Sequence, residues 1–324
     1  MDQLTRKSLI TTRKYTYTYY HIAQSPHKPT LLLQHGFPDD HTLWTRILPF
    51  LLASNHSILI PDLLGYAGTS KPTDTAAYNS KGMAADLAEI LDHEKIAQIV
   101  SIGHDWGSYM AQRVWLWCPE RVAGLVMLNV AYDPPAPFDL AATNKAIESE
   151  TGLPRLAYWE FFSAPDCAGV LSKNIDSWFE ALHGDPDNWL ETLFCHRNAL
   201  SGFVRRGKRV PLHGYAEALR ANWVATFKDF GFAGPLQWYL AKVNGYQWDV
   251  EKQLPRERHV VTMPTLFVGA MRDTVCTTAA IEVPKGQGLL PELTVEEVDS
   301  GHWPMLEAPG PTGEVIVKWL KEKF

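Results

Sequence analysis

Several things are scarce in this chain, and each scarcity closes off a class of protein. Only four cysteines occur in 324 residues, Cys118, Cys167, Cys195 and Cys276. They are scattered and form no C-x-x-C pair, which argues against a disulfide scaffold and a cysteine-based zinc module and favours a reduced, cytoplasmic compartment. No apolar run approaches the roughly 18 residues that a membrane-spanning helix needs. The opening Met1-Asp2-Gln3-Leu4-Thr5-Arg6-Lys7 has no apolar stretch of the kind a secretory signal carries. Basic residues are not in excess: the formal net charge is −6, so nothing points to a nucleic-acid partner. No internal repeat, low-complexity segment or metal-ligand cluster is visible, and no G-x-S-x-G motif occurs anywhere. What remains is a chain with 46% hydrophobic and 20% charged residues, ordinary for a globular protein with a large core.

The stretch that organises the rest is Ile102-Gly103-His104-Asp105-Trp106-Gly107-Ser108. The apolar run Gln98–Ile102 before it reads as a buried strand, and Tyr109–Leu116 after it reads as a helix. Strand, sharp turn and helix, with glycines two before and two after a reactive side chain, is the layout of a nucleophile elbow. Larger residues at the glycine positions would collide with neighbouring backbone. Serine is the usual central residue, but here the centre is Asp105. A carboxylate there can displace a leaving group from an sp³ carbon and form an ester intermediate.

The surrounding pattern is β-α-β. Lys14–Tyr20 alternates and is rich in Tyr and Thr, which predicts an antiparallel strand near a sheet edge. Pro29–Gln34 and Ser57–Ile60 are short continuous apolar runs, as expected of strands buried on both faces. A helix should carry Leu43, Ile47, Leu48 and Leu51 on one face, and another should span 79–93. Gly124–Leu128 is a further strand. Near Tyr132-Asp133-Pro134-Pro135-Ala136-Pro137 the texture changes, and about a hundred residues rich in helix formers and aromatics follow, read as a helical insert. Strands resume at Pro264–Ala270 and Leu293–Val298, and a helix near 312–323 closes the chain. Such alternation means a mainly parallel sheet, with ligands gathered at the carboxyl ends of its strands.

An ester on Asp105 must be hydrolysed, so a base, an orienting acid and oxyanion donors are needed. In this layout they follow in the order nucleophile, acid, histidine. His302, in Asp299-Ser300-Gly301-His302-Trp303-Pro304, is the base. Asp273, after the penultimate strand, is the orienter, with Asp133 as the alternative. The oxyanion donors are the backbone N–H groups of Trp106 and Phe37. His35, His104 and Trp303 are placed at the substrate pocket, although a histidine in a turn ordinarily shapes that turn. Any one of these residues alone would pass for a turn or packing residue. Their order, each at the end of an expected strand, carries the reading.

These residues resemble those of the α/β-hydrolase fold and, within it, the soluble epoxide hydrolases. The resemblance rests on His35-Gly36-Phe37-Pro38, Gly103-His104-Asp105-Trp106-Gly107 and Gly301-His302-Trp303 and covers nearly the whole chain. It implies a mostly parallel eight-stranded sheet flanked by helices, with a core at 1–131 and 250–324 and an inserted helical cap at 132–249. It also implies two cap tyrosines that hold the epoxide oxygen. Gly234-Pro235-Leu236-Gln237-Trp238-Tyr239 matches the motif of one, giving Tyr239. The other is matched by Tyr158, with Tyr132 and Tyr215 left open as substitutes. Tyrosine suits the task, because a phenol with a pKa of about 10 stays protonated near neutral pH yet can protonate an alkoxide.

The implied activity is opening of an apolar or aromatic epoxide by water to a vicinal diol, with no metal or organic cofactor. A homodimer stays open. Haloalkane dehalogenases resemble the chain too, and Trp106 fits their halide-binding tryptophan, but they lack the tyrosine pair and place Asn or Glu where Phe37 stands. Fluoroacetate-type dehalogenases carry Arg beside the nucleophile, where Trp106 and Tyr109 stand here. A non-catalytic small-molecule binder on the same fold is the remaining alternative.

Overall fold

A computed structural model describes residues 4–324; the first three residues of the opening segment read above lie outside the described residues. Eight strands form one sheet: β1 (Thr5–Ile10), β2 (Thr16–Ile22), β3 (Thr30–Gln34), β4 (Ile58–Pro61), β5 (Ile99–His104), β6 (Val122–Leu128), β7 (Thr265–Ala270) and β8 (Leu293–Val298). Their spatial order is β1-β2-β4-β3-β5-β6-β7-β8. β1 and β2 are antiparallel to their neighbours, and every pairing from β4 to β8 is parallel. This is the mostly parallel eight-stranded sheet that the resemblance implied.

The short apolar runs explain the centre of the sheet. All residues of β3, β5 and β7 are buried, as they must be when helices cover both faces. β1 is different. In its sequence TRKSLI four of six residues are exposed and none is buried, and there is no apolar alternation, so it gives no local signal and was not expected. It exists because β2 offers it a full antiparallel ladder, from Thr5 opposite His21 to Ile10 opposite Thr16.

The helix expected to carry Leu43 and Leu51 is in fact two pieces. A 3₁₀ turn spans His41–Arg46, capped by the Asp40 carboxylate on the Thr42 N–H, and a short α-helix spans Leu48–Ala53 with Pro49 in its first turn. Proline has no N–H to continue a helix from the preceding residues, so the break falls there. Leu43, Ile47, Leu48 and Leu51 are nevertheless all buried.

Between β6 and β7 the chain is helical, from Leu140–Thr151 to Tyr246–Glu251. Arg113, fully buried on the helix Trp106–Trp117, ties both ends of this segment down. Its guanidinium donates to the Asp133 carbonyl at 2.6 Å and to the Glu251 carboxylate at 3.0 and 3.1 Å. Ser80 also donates to Glu251, at 2.6 Å. A two-pronged arginine–carboxylate pair satisfies both buried charges at once.

Candidate active site

Five neighbouring strands, β3, β5, β6, β7 and β8, bring their carboxyl ends together, and each loop that follows contributes to one cluster. After β5 stands Asp105, with φ 54° and ψ −124°. A non-glycine residue there is strained and persists only because its surroundings fix it. The surroundings are tight. A Cβ on Gly103 would run into the backbone of Gly107, one on Gly107 into the backbone of Gln34, and one on Gly36 into the Asp105 side chain itself. The carboxylate is thereby aimed at the turn after β3, where the Phe37 N–H donates to its Oδ1 at 2.7 Å. The Trp106 N–H also favours the charged form of the carboxylate.

His302 follows β8. Its Nε2 lies 3.8 Å from Asp105 Oδ2, and its Nδ1 is 2.6 Å from Asp273 Oδ2. Asp273, after β7, is held by four donors. The N–H groups of Val275 and Cys276 reach its Oδ1, both at 2.9 Å, while Asn129 Nδ2 shares its Oδ2 with His302, at 2.7 Å. Asn129 stands after β6 with φ 65° and also donates to the His302 carbonyl at 3.2 Å. Sequence reasoning missed it; only its place at a strand end could have drawn attention.

The charges follow from this packing. Burial raises the pKa of Asp105 above the ordinary carboxylate value, against the pull of His302 and of the Phe37 and Trp106 N–H groups. Burial acts the same way on Asp273, but the positive His302 and the donors around the carboxylate outweigh it and hold that pKa down. Burial opposes a charge on His302, yet the Asp273 carboxylate more than offsets this and lifts its pKa well above the ordinary value.

The other expected residues divide. Trp303 lines the cavity, and its indole N–H donates to Asp39 at 3.0 Å. His35 and His104 do not line it. His35 accepts the Leu63 N–H at 2.9 Å, and His104 Nε2 donates to the His302 carbonyl at 2.7 Å. Both are fully buried turn braces, and burial drives the His104 pKa down to about 3, so its ring is neutral. Asp133, the alternative orienter, points away and pairs with Lys242 at 2.6 Å.

Tyr158 opens the helix Tyr158–Phe162 and Tyr239 sits in Gln237–Val243. Their rings lie 6.1 Å apart, and both face the cavity that Asp105 and His302 line from below. Tyr132 and Tyr215 are engaged elsewhere, with the His259 carbonyl at 2.8 Å and with His183 at 3.1 Å. The cavity measures about 30 Å³ and is walled by Phe37, Phe162, Leu182, Leu190, Phe194, Val275 and Trp303. A cleft of about 620 Å³ adjoins it and shares Leu182, Leu190, His302 and Trp303.

One further grouping was invisible in the sequence because its members lie on two different loops. Asp273, Cys276 and His302 present three potential metal-ligand atoms within 4.8 Å of one another. Among the described residues no helix is long and apolar enough to cross a membrane.

A carboxylate on a strained elbow, a histidine–aspartate pair and two backbone N–H groups thus meet at the carboxyl end of a parallel sheet. The chain belongs to the alpha/beta hydrolase fold family, which is matched over residues 29–309. Among its relatives are Bifunctional epoxide hydrolase 2 of Mus musculus, 28% identical over 93% of this chain and 53% of that protein, and Epoxide hydrolase A of Mycobacterium tuberculosis, 27% identical over 92% of each. The chain thus spans about half the length of the mouse protein. In structure it is similar to Epoxide Hydrolase A from Mycobacterium thermoresistibile, with a TM-score of 0.77 at 25% identity and 98% of each chain covered. It shares its fold with an epoxide hydrolase from an endophytic Streptomyces, with a TM-score of 0.81 at 23% identity, covering 99% of this chain and 96% of that one.

Proposed function

We propose that the protein is an epoxide hydrolase that converts an apolar or aromatic epoxide to a vicinal diol through an ester on Asp105. The observation that carries this reading is the apposition of the Tyr158 and Tyr239 rings to the Asp105 carboxylate across one cavity. The tyrosines hold the ring oxygen and protonate it as the ring opens. Asp105 attacks a ring carbon from the opposite side. The C–O bond breaks, its electron pair stays on oxygen, and a hydroxyalkyl ester forms.

Ester formation then changes the histidine. While Asp105 is ionised, its charge 3.8 Å from His302 favours the imidazolium. Once the carboxylate is esterified that charge is gone, the imidazolium loses part of its support, and the neutral fraction of His302 can take a proton from water. Asp273 fixes the Nδ1–H tautomer. Water attacks the ester carbonyl carbon and the Phe37 and Trp106 N–H groups hold the oxyanion; on collapse His302 passes its proton to the leaving alkoxide, the second water proton restores the tyrosine, and the diol leaves with Asp105 again a carboxylate.

The helical segment 132–249 acts as the cap. Six of the cavity residues, Tyr158, Phe162, Leu182, Leu190, Phe194 and Tyr239, come from it, which excludes water from all but a small space. A dehalogenase reading finds less support, because Phe37 offers no side-chain donor for a halide and the tyrosines have no task in halide release. Four free cysteines fit a reducing, cytoplasmic setting.

The test is single turnover on an aryl epoxide in ¹⁸O-water, followed by peptide mass spectrometry. Label in the peptide that contains Asp105 is the expected result. Diol formation without label there would mean that water attacks the epoxide directly, and halide release from haloalkanes with no diol from epoxides would favour dehalogenation.

A further inference from the structure

Beside the proposed triad stands a thiol that the reaction does not use. Cys276 follows Asp273 by three residues, and its N–H helps to hold that carboxylate. Its sulfur, an Asp273 oxygen and a His302 ring nitrogen lie within 4.8 Å of one another. Zinc-type ions sit about 2.0–2.3 Å from sulfur, nitrogen and oxygen donors, so a tetrahedral site sets its donors roughly 3.3–3.8 Å apart. Asp273 Oδ2 and His302 Nδ1 share a hydrogen bond of 2.6 Å, so an ion takes the place of the Nδ1 proton and the two groups part to make room. Burial pushes the Cys276 thiol up to about 12, so without a metal it carries its proton.

Two further features favour a cation here. The pocket gathers two carboxylates, Asp273 and Asp105, around a single histidine. The adjoining cleft reaches Thr274 and His302, which gives an ion a path from solvent to the histidine.

We propose that Cys276, His302 and Asp273 form an inhibitory site for a thiophilic divalent cation such as Zn²⁺ or Cd²⁺. The ion bonds to the sulfur and to His302 Nδ1 as the thiol proton and the Nδ1 proton leave to solvent, and it takes a lone pair from Asp273. No electron is transferred. With its lone pair committed to the metal, His302 cannot activate water, and turnover stops until a chelator removes the ion. The loss of turnover rests on the epoxide-hydrolase reading; the binding does not.

The experiment uses the full chain and Co²⁺ as the optical probe. Cobalt should produce a thiolate-to-cobalt charge-transfer band that Zn²⁺ abolishes by competition. Cys276→Ser and Cys276→Ala should both lose the band, while Cys118, Cys167 and Cys195 remain as internal controls. In turnover assays Zn²⁺ should inhibit the parent protein reversibly to EDTA. The inhibiting concentration should rise by about tenfold or more in either variant, since even residues that only support a ligand are worth about that much in affinity.

Absence of the cobalt band in the parent protein, or equal Zn²⁺ sensitivity in parent and variants, overturns the proposal. A band that depends on Cys276 in a protein that opens no epoxide leaves the metal site standing and removes the catalytic reading instead.

Discussion

Asn129 and His302 bind the same oxygen of Asp273, at 2.7 and 2.6 Å. The amide thus sits behind the proposed orienting acid as a second donor and fixes the direction in which its remaining lone pairs face. It also holds the His302 backbone through a 3.2 Å contact. A hydrogen bond to a charged group is worth about 1.5–3 kcal/mol. Asn129→Ala should therefore slow ester hydrolysis by roughly one to two orders of magnitude and leave ester formation nearly unchanged. Rapid-quench measurement of the ester on Asp105 checks this: the intermediate should accumulate in the variant. Equal slowing of both steps would make Asn129 a general packing residue.

His302 separates the two chemical steps more sharply. His302→Gln keeps a polar side chain of similar reach but removes the base, whose contribution is typically about 10²–10⁴-fold. The variant should take up one epoxide equivalent and then stall, with a mass gain on the peptide that contains Asp105. A variant that gains no mass yet still binds substrate would show that His302 also acts in the first step.

Each tyrosine has its own expected signature. Burial lifts the pKa of both Tyr158 and Tyr239 well above 10, so both stay protonated through the alkaline range. Tyr158→Phe and Tyr239→Phe should each slow ester formation by about 10²-fold, and the double variant should form no detectable ester. The variants should not slow hydrolysis of an ester already formed, which a single-turnover chase reads directly. Loss in the second step alone would move the tyrosines out of the ring-opening role.

How much of this could be read from the sequence depended on whether the signal was local. The elbow was legible because backbone crowding at Gly103 and Gly107 forces glycine into fixed positions around Asp105. The central strands were legible because burial on both faces demands unbroken apolar runs. Strand β1 was not, since an edge strand held mainly by its ladder to β2 needs no particular side chains. Asn129 and Cys276 acquire a meaning only when the ends of β6, β7 and β8 come together. His35 and His104 carried the opposite ambiguity. A histidine beside the elbow fits a pocket lining or a turn brace equally well by type, and the hydrogen bonds to Leu63 and to the His302 carbonyl decide for the brace.

Asp39 supplies a test of stability against pH. Its carboxyl is buried, burial being the main cause of a pKa raised from 3.8 to about 7, while the donor from Trp303 pulls the other way. The folded pKa is above the unfolded one, so between about pH 4 and pH 7 the folded state holds a proton that the unfolded chain has lost. Stability therefore falls as pH rises through that window, and the full penalty is present above pH 7. A shift of about three units corresponds to about 4 kcal/mol, as an upper bound. Asp39→Asn keeps the acceptor for the Trp303 indole and removes the charge. Relative to the parent protein, its Tm should be nearly unchanged at pH 4 and several degrees higher at pH 8. A Tm difference that is the same at both pH values would mean that Asp39 is ionised throughout, and that the Trp303 hydrogen bond compensates its burial far better than the packing around it implies.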